Sequence, residues 1–101
     1  FNHGLGHGVG ISVHENPPTI TSGIWGKRTL KENMVFTIEP GLYKTGFGGV
    51  RLENTVYLTK KNGELKIQSL SCVPFQEDAI EYSILNEQEK LWLKEWQAGK
   101  C

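Results

Sequence analysis

The chain has 101 residues, with 11 Lys and Arg against 11 Asp and Glu, so its formal net charge is zero and nothing draws it towards nucleic acid or another polyanion. Its apolar runs are a few residues long, far short of the roughly 20 that cross a bilayer, and no basic segment leads into an apolar one at the start. Cys72 and Cys101 are too few and too far apart in sequence for a disulfide framework, and neither sits in a metal-binding Cys pair, so a reducing, cytoplasmic setting is expected.

Hydrophobic residues make up 38% of the chain, enough for a modest core. The chain opens without Met on the run Phe1-Asn2-His3-Gly4-Leu5-Gly6-His7-Gly8-Val9-Gly10, which suggests a cut through a domain. Four glycines in seven residues argue against a helix there. Val35-Phe36-Thr37-Ile38 is β-prone and stops at Glu39-Pro40-Gly41, which puts Glu39 at a strand end. After a turn at Gly46-Phe47-Gly48-Gly49, one strand from Val50 to Leu58 is expected. Val50, Leu52, Val56 and Leu58 would share one face, and Arg51, Glu53, Thr55 and Tyr57 the other. Asn62-Gly63 predicts a tight hairpin to a partner strand near Glu64 to Ser71, because both residues tolerate positive φ. Asn86 and Glu89 have capping-box spacing ahead of a helix with an apolar stripe of Leu91, Trp92, Leu93 and Trp96, ended by Gly99. Glu87 and Glu89 early and Lys94 and Lys100 late suit the helix dipole. Met34, Trp92 and Trp96 are expected to pack.

All three histidines fall within 12 residues, at His3, His7 and His14. The glycines lack the spacing of a dinucleotide fingerprint, and His3/His7 lacks the Glu of a zinc-protease helix. Glycine permits close backbone approach, so the imidazoles can be aimed at one point. A flexible loop with merely exposed histidines fits the residues equally well. Strict alternation sets His14 against the parity of His3 and His7, so a kink among the glycines is needed if all three face one site. Glu39 and Glu53 could converge with an imidazole around a divalent cation; alternatively Glu39 is a solvated strand end and Glu53 pairs with Arg51.

Taken together, His3 to Gly10 followed by Val13-His14-Glu15, then Thr37-Ile38-Glu39-Pro40-Gly41-Leu42-Tyr43, then Gly49-Val50-Arg51-Leu52-Glu53-Asn54 resemble the pita-bread metallopeptidases in order and spacing. Arg51 and the Glu39 to Tyr43 run are similar to aminopeptidase P and prolidase; methionine aminopeptidases usually have Gln and His where Arg51 and Asn54 stand. Pro74-Phe75-Gln76, Leu85 and the helix from Glu87 to Trp96 resemble the C-terminal extension of larger aminopeptidases P. The resemblance implies an α+β fold, the C-terminal half of a pita-bread domain, mainly antiparallel sheet with a C-terminal helix. Residues 1–73 would be the catalytic half and 74–101 the extension.

The resemblance further implies His7, Glu39 and Glu53 as metal ligands, with Glu53 bridging two divalent ions. Manganese is the usual guess; cobalt or zinc would also fit. Such a pair activates water near neutrality and stabilises an oxyanion. Glu39 would accept the water's proton, His14 would act near the scissile carbonyl and the proline nitrogen, His3 would help fix the substrate, and Arg51 would hold ligand carboxylates in position. The implied activity is release of an N-terminal residue from peptides with proline second, by a cytoplasmic enzyme that is a homodimer at full length and has no nucleic-acid or membrane partner. Prolidase, methionine aminopeptidase and a non-catalytic binding module of the same fold are the alternatives. The family also uses two aspartates from the preceding half, and this chain has only Asp78, so the fragment alone is expected to be inactive.

Overall fold

The structure, a computed structural model, describes residues 3–100. Phe1 and Asn2 of the opening run and Cys101 lie outside the described residues. By its contacts the chain divides into two units, Phe1–Leu70 and Ser71–Cys101.

Among its described residues the first unit holds seven strands in three small antiparallel sheets: β1 (Gly6–His7) with β2 (Thr19–Ile20), β4 (Gly41–Lys44) with β5 (Gly48–Arg51), and the order β3-β6-β7 for β3 (Val35–Ile38), β6 (Asn54–Lys61) and β7 (Glu64–Ser69). Alternation along β3 and β6 turns Phe36, Val56 and Leu58 to one face, where each is at most 4% exposed. Ile20, Leu30, Met34 and Ile38 pack around them. Burying these side chains is the main apolar drive available to the unit, at about 1.5–3 kcal/mol each. Asn62 and Gly63 take φ of 53° and 80° between β6 and β7, the double positive φ that the Asn-Gly pair predicts.

The expected single strand from Val50 to Leu58 is instead two. β5 ends at Arg51 and β6 starts at Asn54. Between them Leu52 donates its N–H to the Pro40 carbonyl, 3.0 Å away, one step beyond the Gly41–Arg51 pair. The pairing offset is the same on both sides, Gly41 with Arg51 and Ile38 with Asn54, yet Val50 and Leu52 are 67% and 50% exposed while Val56 and Leu58 are buried.

In the second unit, 3-10 turns at Glu77–Ala79 and Tyr82–Ile84 lead to α1 (Glu87–Gln97). The capping box forms in full: Asn86 Oδ1 accepts from the Glu89 N–H at 2.9 Å and Glu89 Oε2 accepts from the Asn86 N–H at 2.9 Å. Gly99, at φ 76°, closes the helix. Of the apolar stripe only Leu93 and Trp96 turn inward. Trp96 donates Nε1–H to the Val73 carbonyl and stacks on Phe75. Leu91 and Trp92 are 49% and 61% exposed, contrary to the expected packing, because one short strap spanning residues 73–77 is what this helix has to lie against within the unit. Cys72 is disulfide-bonded, where the number and spacing of the cysteines had pointed to no disulfide framework and a reducing setting. Separation along the sequence carries no information about how closely two cysteines approach in a fold.

Candidate metal centre

The register of the central ladder builds the site. Ile38 pairs with Asn54 in antiparallel β3 and β6, so Glu39, leaving β3, and Glu53, entering β6, come level at the same end of the sheet. Both lie on the face opposite Phe36 and Val56. β1 lies along the other side of β3: Gly8 bridges to Phe36, Glu39 N–H donates to the Leu5 carbonyl at 2.6 Å, and His7 N–H donates to Thr37 Oγ1 at 3.1 Å. That alignment sets His7 on the face of the two glutamates. One ligand atom from each of His7, Glu39 and Glu53 falls within 4.8 Å of the others, the one such trio of His, Cys, Asp and Glu among the described residues.

The donor set fits a divalent cation. His7 Nδ1 lies 2.9 Å from the Gly8 carbonyl, which can only accept, so Nδ1 carries the proton and Nε2 presents its lone pair. Nε2 stands 3.7 Å from Glu39 Oε2. An ion bound at ~2.1 Å spaces its ligand atoms by at most ~4.2 Å, so modest side-chain adjustment closes the trio around one ion. His7 and Glu39 side chains are only 21% and 18% exposed, which limits competition from bulk water. Two carboxylates so close together form an anionic pocket that a cation relieves.

His14 arrives by a different route from the kink expected among the glycines. The loop after Val9 folds back on itself: Glu15 N–H donates to the Gly8 carbonyl at 3.0 Å, and Glu15 Oε2 accepts from the Ser12 N–H at 2.8 Å. This return lays the His14 ring against His7, with centroids 4.2 Å apart. Arg51 Nε lies 3.5 Å from Glu53 Oε2, so the Arg51 pairing and the convergence with Glu39 coexist. The ion pair is half exposed and contributes little stability; its effect is to orient the carboxylate. The Arg51 guanidinium is held above its ordinary range by a hydrogen bond to Tyr43, then by the charges of Tyr43, Glu53 and Glu39.

Tyr43 is the residue that sequence reasoning missed as a participant. Its hydroxyl lies 2.6 Å from His3 Nε2. The signal available was its parity with Arg51 across the β4–β5 ladder, in which Tyr43 pairs with Gly49. Asp78 lies in the second unit and outside the trio.

The family model for metallopeptidase family M24 matches residues 1–60, and the chain belongs to that family. It is 38% identical to Xaa-Pro aminopeptidase app-1 of Caenorhabditis elegans over 112 residues, and 38% identical to a probable Xaa-Pro aminopeptidase P of Laccaria bicolor over 109. In both cases 97% of the chain is covered and the chain spans 17% of the relative's length. The crystal structure of the X-prolyl aminopeptidase from C. elegans, described as a cytosolic enzyme with a di-nuclear active site, matches with a TM-score of 0.80 and 36% identity over 97% of the chain and 17% of its own. Prolidase from Pyrococcus furiosus matches with a TM-score of 0.57 and 46% identity, over 69% of the chain and 19% of its own. These likenesses fix the fold as part of a pita-bread domain.

Proposed function

We propose that the chain supplies His7, Glu39 and Glu53 to the two-metal centre of a longer aminopeptidase that releases the N-terminal residue from peptides with proline in second position. The observation that carries the aminopeptidase reading is the extent of the likeness. Aminopeptidase relatives align over 97% of the chain, through the helix α1, whereas the prolidase likeness stops at 69%. Residues 1–73 would then be catalytic and 74–101 the extension. Prolidase remains the second reading, favoured by 49% identity over 67 residues to an Xaa-Pro dipeptidase of Pyrococcus horikoshii.

Two divalent ions, manganese first among candidates, would supply Lewis acidity and an activated water. Glu39, at the strand end, would help hold the ions and could take up a proton from water; Glu53 would hold them too, and Arg51 orients the Glu53 carboxylate. His14, exposed and packed at a tilt against His7, would meet the peptide carbonyl and the proline nitrogen. The remaining carboxylate ligands come from aspartates beyond these residues. We place the enzyme in the cytosol as a homodimer. The cytosolic description of the C. elegans protein supports the compartment, and the Cys72 disulfide runs against it.

In the full-length enzyme, Glu39→Ala or Glu53→Ala should abolish Xaa-Pro hydrolysis with the fold retained. Near-normal turnover at full metal content would sink the ligand assignment. Cleavage of Xaa-Pro dipeptides but not of longer Xaa-Pro peptides would favour prolidase, and Met-Ala cleavage without Xaa-Pro cleavage would favour methionine aminopeptidase.

A further inference from the structure

The second unit, Ser71–Cys101, is too short to be held together by burial. Below about 40 residues a fold usually needs a disulfide, a metal or a partner. Among the described residues of this unit none is buried. α1 has 11 residues, and isolated helices shorter than about 12–15 are marginal in water. It lies against the strap of residues 73–77 through three exposed hydrogen bonds. Trp96 Nε1–H donates to the Val73 carbonyl at 2.8 Å, the Phe75 N–H donates to Gln97 Oε1 at 2.7 Å, and Gln97 Nε2–H donates to the Phe75 carbonyl at 3.0 Å. Water competes for all of these groups, so each bond contributes little net.

A covalent tie stands at the edge of this strap. Cys72, the residue before Val73, is disulfide-bonded and exposed. The other cysteine of the chain is Cys101. The described neighbours of the two cysteines meet at one place. Trp96 holds Val73, and past Gly99 the chain turns back so that the Lys100 N–H donates to the Glu95 carbonyl at 3.0 Å. Val73 and Lys100 are thus both fixed to the last turn of α1, the one next in sequence to Cys72 and the other to Cys101.

We infer that the Cys72 bond runs to Cys101 and makes the second unit a redox-controlled fold: oxidised, it clamps the strap to the end of α1; reduced, strap and helix come apart. The chemistry is thiol–disulfide exchange with a dithiol reductant. A thiolate of the dithiol attacks the S–S bond, both cysteine sulfurs become thiols, and the dithiol closes to its own disulfide, so two electrons and two protons pass to the protein. Exposed disulfides are the labile ones, and opening this one returns to the chain the freedom that loop closure had removed. In the cytosolic setting proposed above, such a bond forms under oxidation and is lost when reduction resumes.

The test follows the 101-residue chain before and after dithiothreitol, with alkylation and mass spectrometry to count thiols. In the oxidised chain, proteolytic mapping should link Cys72 to Cys101, and the Trp96 Nε1–H should exchange slowly with solvent. Reduction should speed that exchange at least about tenfold and remove most of the helical circular dichroism of α1, and reoxidation should restore both. Cys72→Ser should behave as the reduced chain with or without dithiothreitol. The Leu58 N–H, which donates to the Met34 carbonyl in the first unit, should exchange at one rate throughout. Unchanged helicity and Trp96 exchange after full reduction would overturn the proposal, as would a Cys72 bond to a second chain. Acceleration of Leu58 exchange to match Trp96 would also overturn it, since the switch would not be confined to the second unit.

Discussion

Gly6→Ala probes whether β1 must lie hard against β3 for metal to bind. A Cβ on Gly6 would overlap the Thr37 carbonyl oxygen and stand 2.8 Å from its carbon, inside the 3.0 Å that real Cβ atoms keep. That oxygen is main chain in the central ladder, whose neighbours on both sides fix it, so β1 must give way, and the overlap to be relieved exceeds an ångström. His7 is the next residue, tied to Thr37 Oγ1 at 3.1 Å and facing Glu39 at 3.7 Å. Metal–ligand distances tolerate only about 0.2 Å, so a shift of that size removes His7 from the ligand set. Loss of an outer partner of a ligand costs about 10–100-fold in metal affinity, and displacement of the ligand itself should cost at least as much. Overpacking should also lower stability by about 1–3 kcal/mol. Mn²⁺ titration followed by EPR, on chains verified as folded by circular dichroism, reads the first effect. Gly46→Ala is the control, since φ there is 75° but the surrounding space is open, so it strains the hairpin without touching the site. Unchanged Mn²⁺ affinity in folded Gly6→Ala would refute the argument that β1 packing positions His7.

Four other outcomes are expected. Phe36→Ala, at a site 2% exposed in a very small core, should cost about 3–5 kcal/mol and leave the first unit largely unfolded by urea titration. Asn86→Ala should reduce the helicity of α1 and cost about 1 kcal/mol, seen in far-ultraviolet circular dichroism and thermal melts, because both reciprocal capping bonds are lost. Glu77 is held below the usual carboxylate range by hydrogen bonds from Tyr82 and then Gln97. Its contribution is therefore present above the unfolded carboxylate pKa of about 4.3 and lost as pH falls through the folded value, and Tyr82→Phe should flatten the acid side of the stability profile of the second unit. Cys72 should resist alkylation until a reductant is added, and prompt labelling without one would contradict the disulfide.

Much of the site was legible because it depends on local rules. Glu39 could be placed at a strand end from Pro40 and Gly41, and it directly follows β3; Glu53, Thr55 and Tyr57 could be placed on one face from alternation, with Glu53 directly preceding β6. The Asn62-Gly63 hairpin and the Asn86–Glu89 box are set by residues no more than three apart, and both form. Where a feature depended on chain segments meeting, periodicity failed. The strand that ends at Arg51 and resumes at Asn54 changes partner from β4 to β3, which no count along Val50 to Leu58 reveals. His14 is placed by a folded loop held by Gly8, Ser12 and Glu15, so strand parity was the wrong ruler. Tyr43 gains its partner 40 residues away only because Gly41 and Gly49 let its ring lie down.

The pairing of Ile38 with Asn54 makes the central ladder a proofreading device. A strand shifted by one residue turns Val56 and Leu58 from core to solvent, and the same shift brings Leu52 or Asn54 level with Glu39 where Glu53 should stand. Neither substitute is an anion. On the proposed ligand set, a misregistered molecule would lose apolar burial and metal at once, and added Mn²⁺ could not rescue it by binding the wrong form. Metal uptake would then report correct strand alignment, and refolding in the presence of metal should enrich the aligned molecules over the rest.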